Sequence, residues 1–543
     1  MQKESTLSSA PGKIPETAPF RIPPHGYLNR FGQRLDSIYI AIATLIVIIS
    51  FHAFTLMKYP APWVDEGLTA SRAVSQLRNG NPSGELDKRL LALTNTVAGQ
   101  SAIPVWPSEL FAVFMPSVGD ISLIQIRAVS LIFGSILILS CFFIGTAVSG
   151  IPLGILFALT LGTSIPFAFA SHVGRADIMG IAGGCAACAV FLHLGHRHWL
   201  FSLFAGFIVG SSFELHARAS IYGITIASLY WAKFGPSFIR HKNFWFYVLG
   251  GTLGLGIYAA IHILPDLNAF VETQAVVNSG RTPPGGRLGF EQLSKIISSA
   301  KEIALTILMY QSWVVIIFAL FPFVAFTCWK KNGKSVLAFI GATLAGAVLL
   351  MDAKGLYNAI AYAPAFSLGV AYVVYVACCT EAIPAKLRLA AASLVGAIFV
   401  LSSGMTAFAF SIGERHCSKD FENTLNVIRS SITPEDFVMS DETYWLGLQN
   451  QNYMPWKTLK SYQRARPGAS LADAFQHFKP DIFVIDGFVG SFFGDEKSEK
   501  TFQEELRLPT TELSNILLAN GKLVNRFDST CYGRVDIFRF QWK

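Results

Sequence analysis

Apolar residues in this chain fall in long, nearly unbroken runs, and polar residues collect in the short segments between them. The runs lie at about 36–57, 121–147, 151–171, 178–194, 199–215, 219–233, 244–264, 303–328, 335–351, 358–379 and 389–411. About 20 consecutive apolar residues are what an α-helix needs to cross the roughly 30 Å hydrocarbon core of a bilayer. The pattern predicts an α-helical polytopic membrane protein with about eleven transmembrane helices. After residue 411 the pattern changes. Phe437–Ser440 and Asp481–Asp486 predict short buried strands, and Leu471–Phe478 predicts a helix leading into the second of them. Residues 412–543 are thus expected to form a small α/β domain, long enough for a core of its own.

Charge supplies the orientation. Residues 1–35 are polar and too weakly patterned for the start of a cleavable signal, so the first run is expected to stay as a span. Placing this tail in the cytoplasm also places Arg197, then Lys233, Arg240 and Lys242, then Lys330, Lys331 and Lys334, then Lys386 and Arg388 on the inner face, as the positive-inside rule requires. The formal net charge of +8 is therefore an orientation signal, and nucleic acid is not expected as a partner. The expected location is the inner (plasma) membrane, with residues 36–411 as the transmembrane domain and the 412–543 domain outside the cytoplasm.

With that topology the outer face receives a long first loop at 58–120, the turns around 172–177, 216–218 and 352–357, and a loop at 266–302. Ser71–Leu77 in the first loop reads as an amphipathic helix, and the stretch around Trp106 and Glu109 suits a helix lying at the membrane interface. Arg281 and Arg287 stand in a Gly/Pro-rich stretch that suits either a connector or a lid meeting an anionic acceptor or donor. Six cysteines lie in apolar runs as small hydrophobes, whereas Cys417 and Cys531 fall in the polar C-terminal region and could pair in an oxidising compartment.

The outer turns carry the chemistry. Asp65 and Glu66 follow the first span in a chain of which only 14% is charged. Arg175 and Asp177 join the third and fourth spans, Glu214, His216 and Arg218 close the fifth, and Asp352, Lys354 and Tyr357 join the ninth and tenth. Local charge compensation would explain any one of these; four on one face predict a shared polar cavity. Nucleotide donors are not normally available there, so a group-transfer enzyme would draw on a lipid-linked sugar. Its phosphate leaves without a proton when cations stabilise the developing charge, and only the acceptor hydroxyl needs a base.

In this order and topology the chain resembles the GT-C class of integral-membrane glycosyltransferases, within the branch of protein O-mannosyltransferases and lipid A aminoarabinose transferases. The resemblance rests on Asp65-Glu66, on Arg127 inside the second span, on Arg175-Ala176-Asp177, and on the string from Lys354 through Tyr357 to Pro364. It implies Asp65 as general base for inverting transfer from a polyprenyl-phosphate sugar, with Glu66 and Asp177 supporting the site. It also implies Lys354, Arg175, Arg218 and Tyr357 as ligands of the donor phosphate. The acceptor would be a glycan, lipid or protein at the membrane, and the C-terminal domain would cover the site or recognise that acceptor. No cofactor is required; the sequence leaves a divalent metal open, with His172 and His216 beside Asp177 as candidate ligands. An O-antigen ligase or polymerase and a secondary transporter are the competing readings. The long loop coming first and the absence of a convincing repeat weigh against them.

Overall fold

The computed structural model describes residues 26–80, 82–91, 104–114, 121–268, 270–271, 300–306, 333–351, 356–379, 412–492 and 510–542, with a few isolated positions besides. The helix Gly26–Thr55 carries the first apolar run, and Ile42, Ile46, Val47 and Phe54 lie exposed along it, as side chains facing lipid do. Leu123–Ser149 follows as a 27-residue helix. It starts where Gln125 Oε1 accepts the Ser122 N–H at 3.0 Å, and it stops at Gly150, whose φ of 87° suits a residue without a Cβ. Ile151–Gly162 begins with a proline in its first turn and then bends by 68° into Ile165–His172, which Ser164 caps by accepting the Phe167 N–H. Asp177–Val190, Trp199–Leu215, Ser220–Phe234, Lys242–Tyr258, Lys334–Leu350 and Ala363–Cys379 complete the described apolar helices.

Among the described residues, four helices are long and apolar enough to cross a membrane, or five when the bent pair is counted as one span. Most of the expected spans at 303–328 and 389–411 lie outside the described residues. Small residues let two helices approach closely. A Cβ on Gly206 would stand 2.0 Å from the Tyr247 carbonyl, and one on Gly250 would stand 2.0 Å from the Leu203 carbonyl, so Trp199–Leu215 and Lys242–Tyr258 pack backbone to backbone. Cys141, Cys185 and Cys188, on Leu123–Ser149 and Asp177–Val190, are buried in the apolar core between the helices.

The segment after the first helix contains the predicted amphipathic helix, which runs longer than expected, from Val64 to Asn79, and a second helix at Val105–Val113. The C-terminal region holds a five-stranded sheet in the order β2-β1-β3-β5-β4. β1 (Phe437–Ser440), β2 (Asn452–Pro455) and β3 (Ile482–Ile485) are parallel, with Val438 opposite Ile482; β5 (Gly533–Phe540) runs antiparallel to β3 and to β4 (Gly521–Ser529). β1, the central strand of the parallel part, is buried along its whole length, as strands covered on both faces are. A disulfide of 2.08 Å joins Cys417 to Cys531 in the β4–β5 turn.

This sheet sits directly on the segment that follows the first helix. The Ala61 N–H donates to Glu414 Oε2 at 2.8 Å, Ser418 Oγ donates to the Met57 carbonyl at 2.7 Å, and the Tyr532 hydroxyl donates to the Pro62 carbonyl at 3.2 Å. A Cβ at Gly67 would fall 1.9 Å from the Glu442 carbonyl, so only glycine lets the Val64–Asn79 helix meet the stretch after β1.

Candidate active site

Asp65 and Glu66 both occupy the first turn of the Val64–Asn79 helix, where the unpaired N–H groups and the helix dipole favour negative charge. Their side chains go to different places. Glu66 is fully buried and bidentate with the equally buried Arg127: Nε donates to Oε1 at 2.7 Å and Nη2 to Oε2 at 3.0 Å. The same carboxylate caps its own helix by accepting the Trp63 N–H at 2.8 Å, and it accepts the Gly174 N–H at 3.3 Å. Arg127 donates further to the carbonyls of Leu56 and Pro60, each at 2.9 Å. This pair ties the end of the first helix, the second apolar helix and the 173–176 turn into one block.

Asp65 remains 36% exposed and faces Arg175, with Nη1 3.2 Å from Oδ2. Arg175 Nε in turn lies 2.6 Å from Asp177 Oδ2, and Arg218 Nη1 donates to Asp177 Oδ1. His216 completes the group, its Nε2 3.0 Å from Asp177 Oδ1. His216 Nδ1 accepts the Arg218 N–H at 3.2 Å, so the ring proton is on Nε2, toward Asp177. Burial pushes the His216 pKa down to about 4, and the two arginines push the same way against Asp177, so this imidazole is neutral at neutral pH. An alternating line, Asp65–Arg175–Asp177–Arg218, therefore runs along one rim of the helices, with its exposed carboxylate at one end. Lys457 from the C-terminal region stands close enough for the charge of Asp65 to raise its pKa, together with its direct partner Glu442 at 3.1 Å.

No family model matches the chain, and no curated protein matches it. Among solved structures, ArnT from Cupriavidus metallidurans bound to undecaprenyl phosphate aligns over 93% of this chain and 98% of its own, with a TM-score of 0.56 at 13% identity. The apo state of ArnT aligns over 94% and 98%, with a TM-score of 0.52 at 14% identity. The chain has the GT-C fold. An Archaeoglobus fulgidus oligosaccharyltransferase tethered with an acceptor peptide is also similar, over 82% of this chain and 69% of its own, with a TM-score of 0.48 at 14% identity.

The apolar helices are thus those of a polytopic GT-C membrane fold with a small C-terminal sheet. Within it, the residues expected at the outer rim divide into two sets. Asp65, Arg175, Asp177, Arg218 and His216 come together as described. His172 turns away: its Nε2 lies 3.1 Å from Thr55 Oγ1 and 3.0 Å from the His52 carbonyl, fastening the bent helix pair to the first helix. Glu214 is also turned elsewhere, accepting the Val105 N–H at 2.6 Å and pairing with His262 at 2.7 Å, which anchors the Val105–Val113 helix. Lys354, Arg281, Arg287 and the side chain of Tyr357 lie outside the described residues.

The donor set around Asp177 is a poor match for a divalent metal. Two guanidiniums already flank the carboxylate, both ring nitrogens of His216 are engaged, and His172 is on another face. His416, Cys417 and Cys531 come within ligand spacing, but their two sulfurs are bonded to each other. Sequence reasoning missed Lys457, Glu442, Asp441 and Asp486. The signal was present, since Asp441-Glu442 directly follows the first strand that the sequence predicts and Asp486 ends the second.

Proposed function

We propose that this protein is a membrane glycosyltransferase that moves a sugar from a polyprenyl-phosphate donor to an acceptor hydroxyl, with inversion at the anomeric carbon. The observation that carries the reading is the Asp65–Arg175–Asp177–Arg218 line, which pairs one exposed carboxylate with two guanidiniums inside a GT-C fold. The likeness to ArnT bound to undecaprenyl phosphate supports a lipid phosphate as the donor's anchor.

Asp65 takes the proton of the acceptor hydroxyl as that oxygen attacks the anomeric carbon from the face opposite the phosphate. The new C–O bond forms while the sugar–phosphate bond breaks, and the electron pair leaves on the polyprenyl phosphate, which needs no proton. Arg175 and Arg218, with Lys354 and Tyr357, hold that phosphate; a guanidinium does so with a planar, bidentate fork. Asp177 and Glu66 do not react. Asp177 spaces the two arginines, and Glu66 with Arg127 fixes the helix turn from which Asp65 projects. Arriving phosphate competes with Asp65 for Arg175, so donor binding frees the base.

The orientation follows the basic residues of the inner loops, and the Cys417–Cys531 disulfide supports an oxidising, extracytoplasmic side for the C-terminal domain. Both support a reading in which the site faces outward from the inner membrane and the domain boundary falls near residue 411.

The test is transfer of radiolabelled sugar from a panel of polyprenyl-phosphate sugars by the purified chain, run beside Asp65→Asn. Transfer from a donor that the folded variant no longer uses establishes the class and the base. Equal activity in the variant removes Asp65 from the chemistry, and no transfer from any donor removes the reading.

A further inference from the structure

A second polar feature borders the start of the Asp65 helix. In an open sheet with parallel strands, ligands settle outside the carboxyl ends of the strands where the strand order reverses. In the order β2-β1-β3 that reversal falls between β1 and β3. Asp441 follows the last residue of β1, and Asp486 follows the last residue of β3. Both line a cavity of about 320 Å³, at the lower end of the range for small-ligand pockets. Its remaining walls include Trp63 and Val64 at the start of the Asp65 helix, and Phe488 and Tyr532 from the sheet region.

Asp441 is 2% exposed. Its Oδ1 accepts the Thr443 N–H at 3.0 Å, while its Oδ2 has no hydrogen-bond partner among the described residues. A buried carboxylate oxygen left unpaired costs on the order of 1–3 kcal/mol, so a native structure keeps one where something else supplies the donor. Asp486 is anchored differently, accepting the Tyr444 hydroxyl at 2.8 Å and the Val489 N–H at 2.7 Å, with lone pairs left over.

The two carboxylates exclude a phosphate. Aromatic side chains form much of the rest of the wall, with the Trp63 and Phe488 rings 5.9 Å apart. Among the described residues, Asp441, Glu442 and Asp486 do not gather at metal-ligand spacing. Hydroxyl donors on one face and a row of C–H groups on the other is the surface of a neutral sugar ring, which meets carboxylates with its hydroxyls and aromatic rings with its apolar face.

We infer that the cavity between the 61–64 segment and the carboxyl ends of β1 and β3 is a saccharide subsite that holds a neutral sugar ring of the acceptor beside Asp65. The inference rests on the transferase reading and adds to it the chemical class of the acceptor. Asp441 Oδ2 accepts one hydroxyl, Asp486 a second, and Trp63 and Phe488 cover the ring. The donor's phosphate stays with the arginines, away from these acids.

Neutral methyl glycosides of glucose, galactose, mannose and N-acetylglucosamine are the probes, titrated onto the full chain in lipid nanodiscs. Saturation-transfer NMR and tryptophan fluorescence report binding without turnover. The expected result is saturable binding of at least one glycoside, weakened about 10-fold or more by Asp441→Asn and by Phe488→Ala. Undecaprenyl phosphate affinity, titrated separately, should stay within about twofold in both variants. Asp441→Asn keeps the Oδ1 bond to Thr443; if it nevertheless lowers the melting temperature, Phe488→Ala, at a half-buried position, decides alone.

Absence of saturable binding by the wild-type chain overturns the subsite, as does binding that neither variant weakens. Displacement of the glycoside by a polyprenyl-phosphate sugar but not by polyprenyl phosphate would assign the cavity to the donor's sugar and overturn the acceptor assignment. Glycoside binding is independent of transfer, so loss of the subsite and loss of the Asp65 mechanism are separate outcomes.

Discussion

Glu66 and Asp65 are neighbours in sequence, share one helix turn, and each meets an arginine, yet their surroundings are opposite. The Glu66–Arg127 pair is sealed: every polar atom has a backbone or side-chain partner and neither residue is exposed. The Asp65–Arg175 pair is open, with an ion-pair distance of 3.2 Å and a carboxylate one-third exposed. A sealed pair stores its energy in holding elements together, because removing either partner strands a charge without water. An open pair costs little to part, which is what a group needs if it is to exchange its partner for a substrate.

The comparison can be broken in four ways. Asp65→Asn should lower transfer by about 10² to 10⁴-fold, the usual contribution of a positioned base, while leaving the melting temperature in place. A large drop in melting temperature would make Asp65 structural after all. Arg127→Met should do the reverse, destabilising the fold by about 3–5 kcal/mol in thermal or denaturant unfolding, and adding Glu66→Gln should recover much of the loss. Single and double variants of equal stability would show that the sealed pair is not a pair energetically.

Arg218→Lys should have a smaller effect, weakening donor binding about 10-fold, because an ammonium keeps the charge but loses the fork. The titration of the sheet region should be the smallest effect. Burial, reinforced by Asp441, pushes the carboxyls of Glu442 and Asp486 up to about 7, although Lys457 works against the shift at Glu442. Between the ordinary carboxylate range and pH 7 the folded state then holds more protons than the unfolded state, so stability falls as pH rises through that window and is flat above it. Melting temperatures from pH 5 to 8 should show the decline, and Glu442→Gln should flatten part of it. A flat profile over the same window would mean that both carboxyls stay ionised in the folded state, with Lys457 holding Glu442 in that form.

The legible parts of this chain were those where one physical signal dominates. Long apolar runs gave most of the described apolar helices to within a few residues, although the first helix starts well before its run, at Gly26, and β1, β3 and the Leu471–Phe478 helix stood out because their residues are buried together. β4 did not stand out. Lys522, Asn525 and Arg526 interrupt it, and as an edge strand most of it faces solvent, so no alternation marks it. The site was legible as a set of residues on one face, since topology alone gathers Asp65, Arg175, Asp177 and Arg218. Which acid of the Asp65-Glu66 pair faces inward depends on Arg127, a partner 61 positions away in the chain, and no local pattern encodes it. The acids after β1 and β3 were overlooked for a related reason: their meaning comes from the strand order.

The bond from the Ala61 amide to Glu414 spans 353 positions of sequence. A ribosome adding about 5–20 residues per second needs roughly 20–70 s to make the second partner after the first. Throughout that interval Asp65 has been made, but the Glu442 backbone that Gly67 meets has not. A chain truncated anywhere before its last strands would present the acid and the arginines without their cover. Tying the first loop to the end of the chain makes completion of synthesis the step that assembles the site, so an unfinished copy in the membrane lacks the wall where the acceptor would be held.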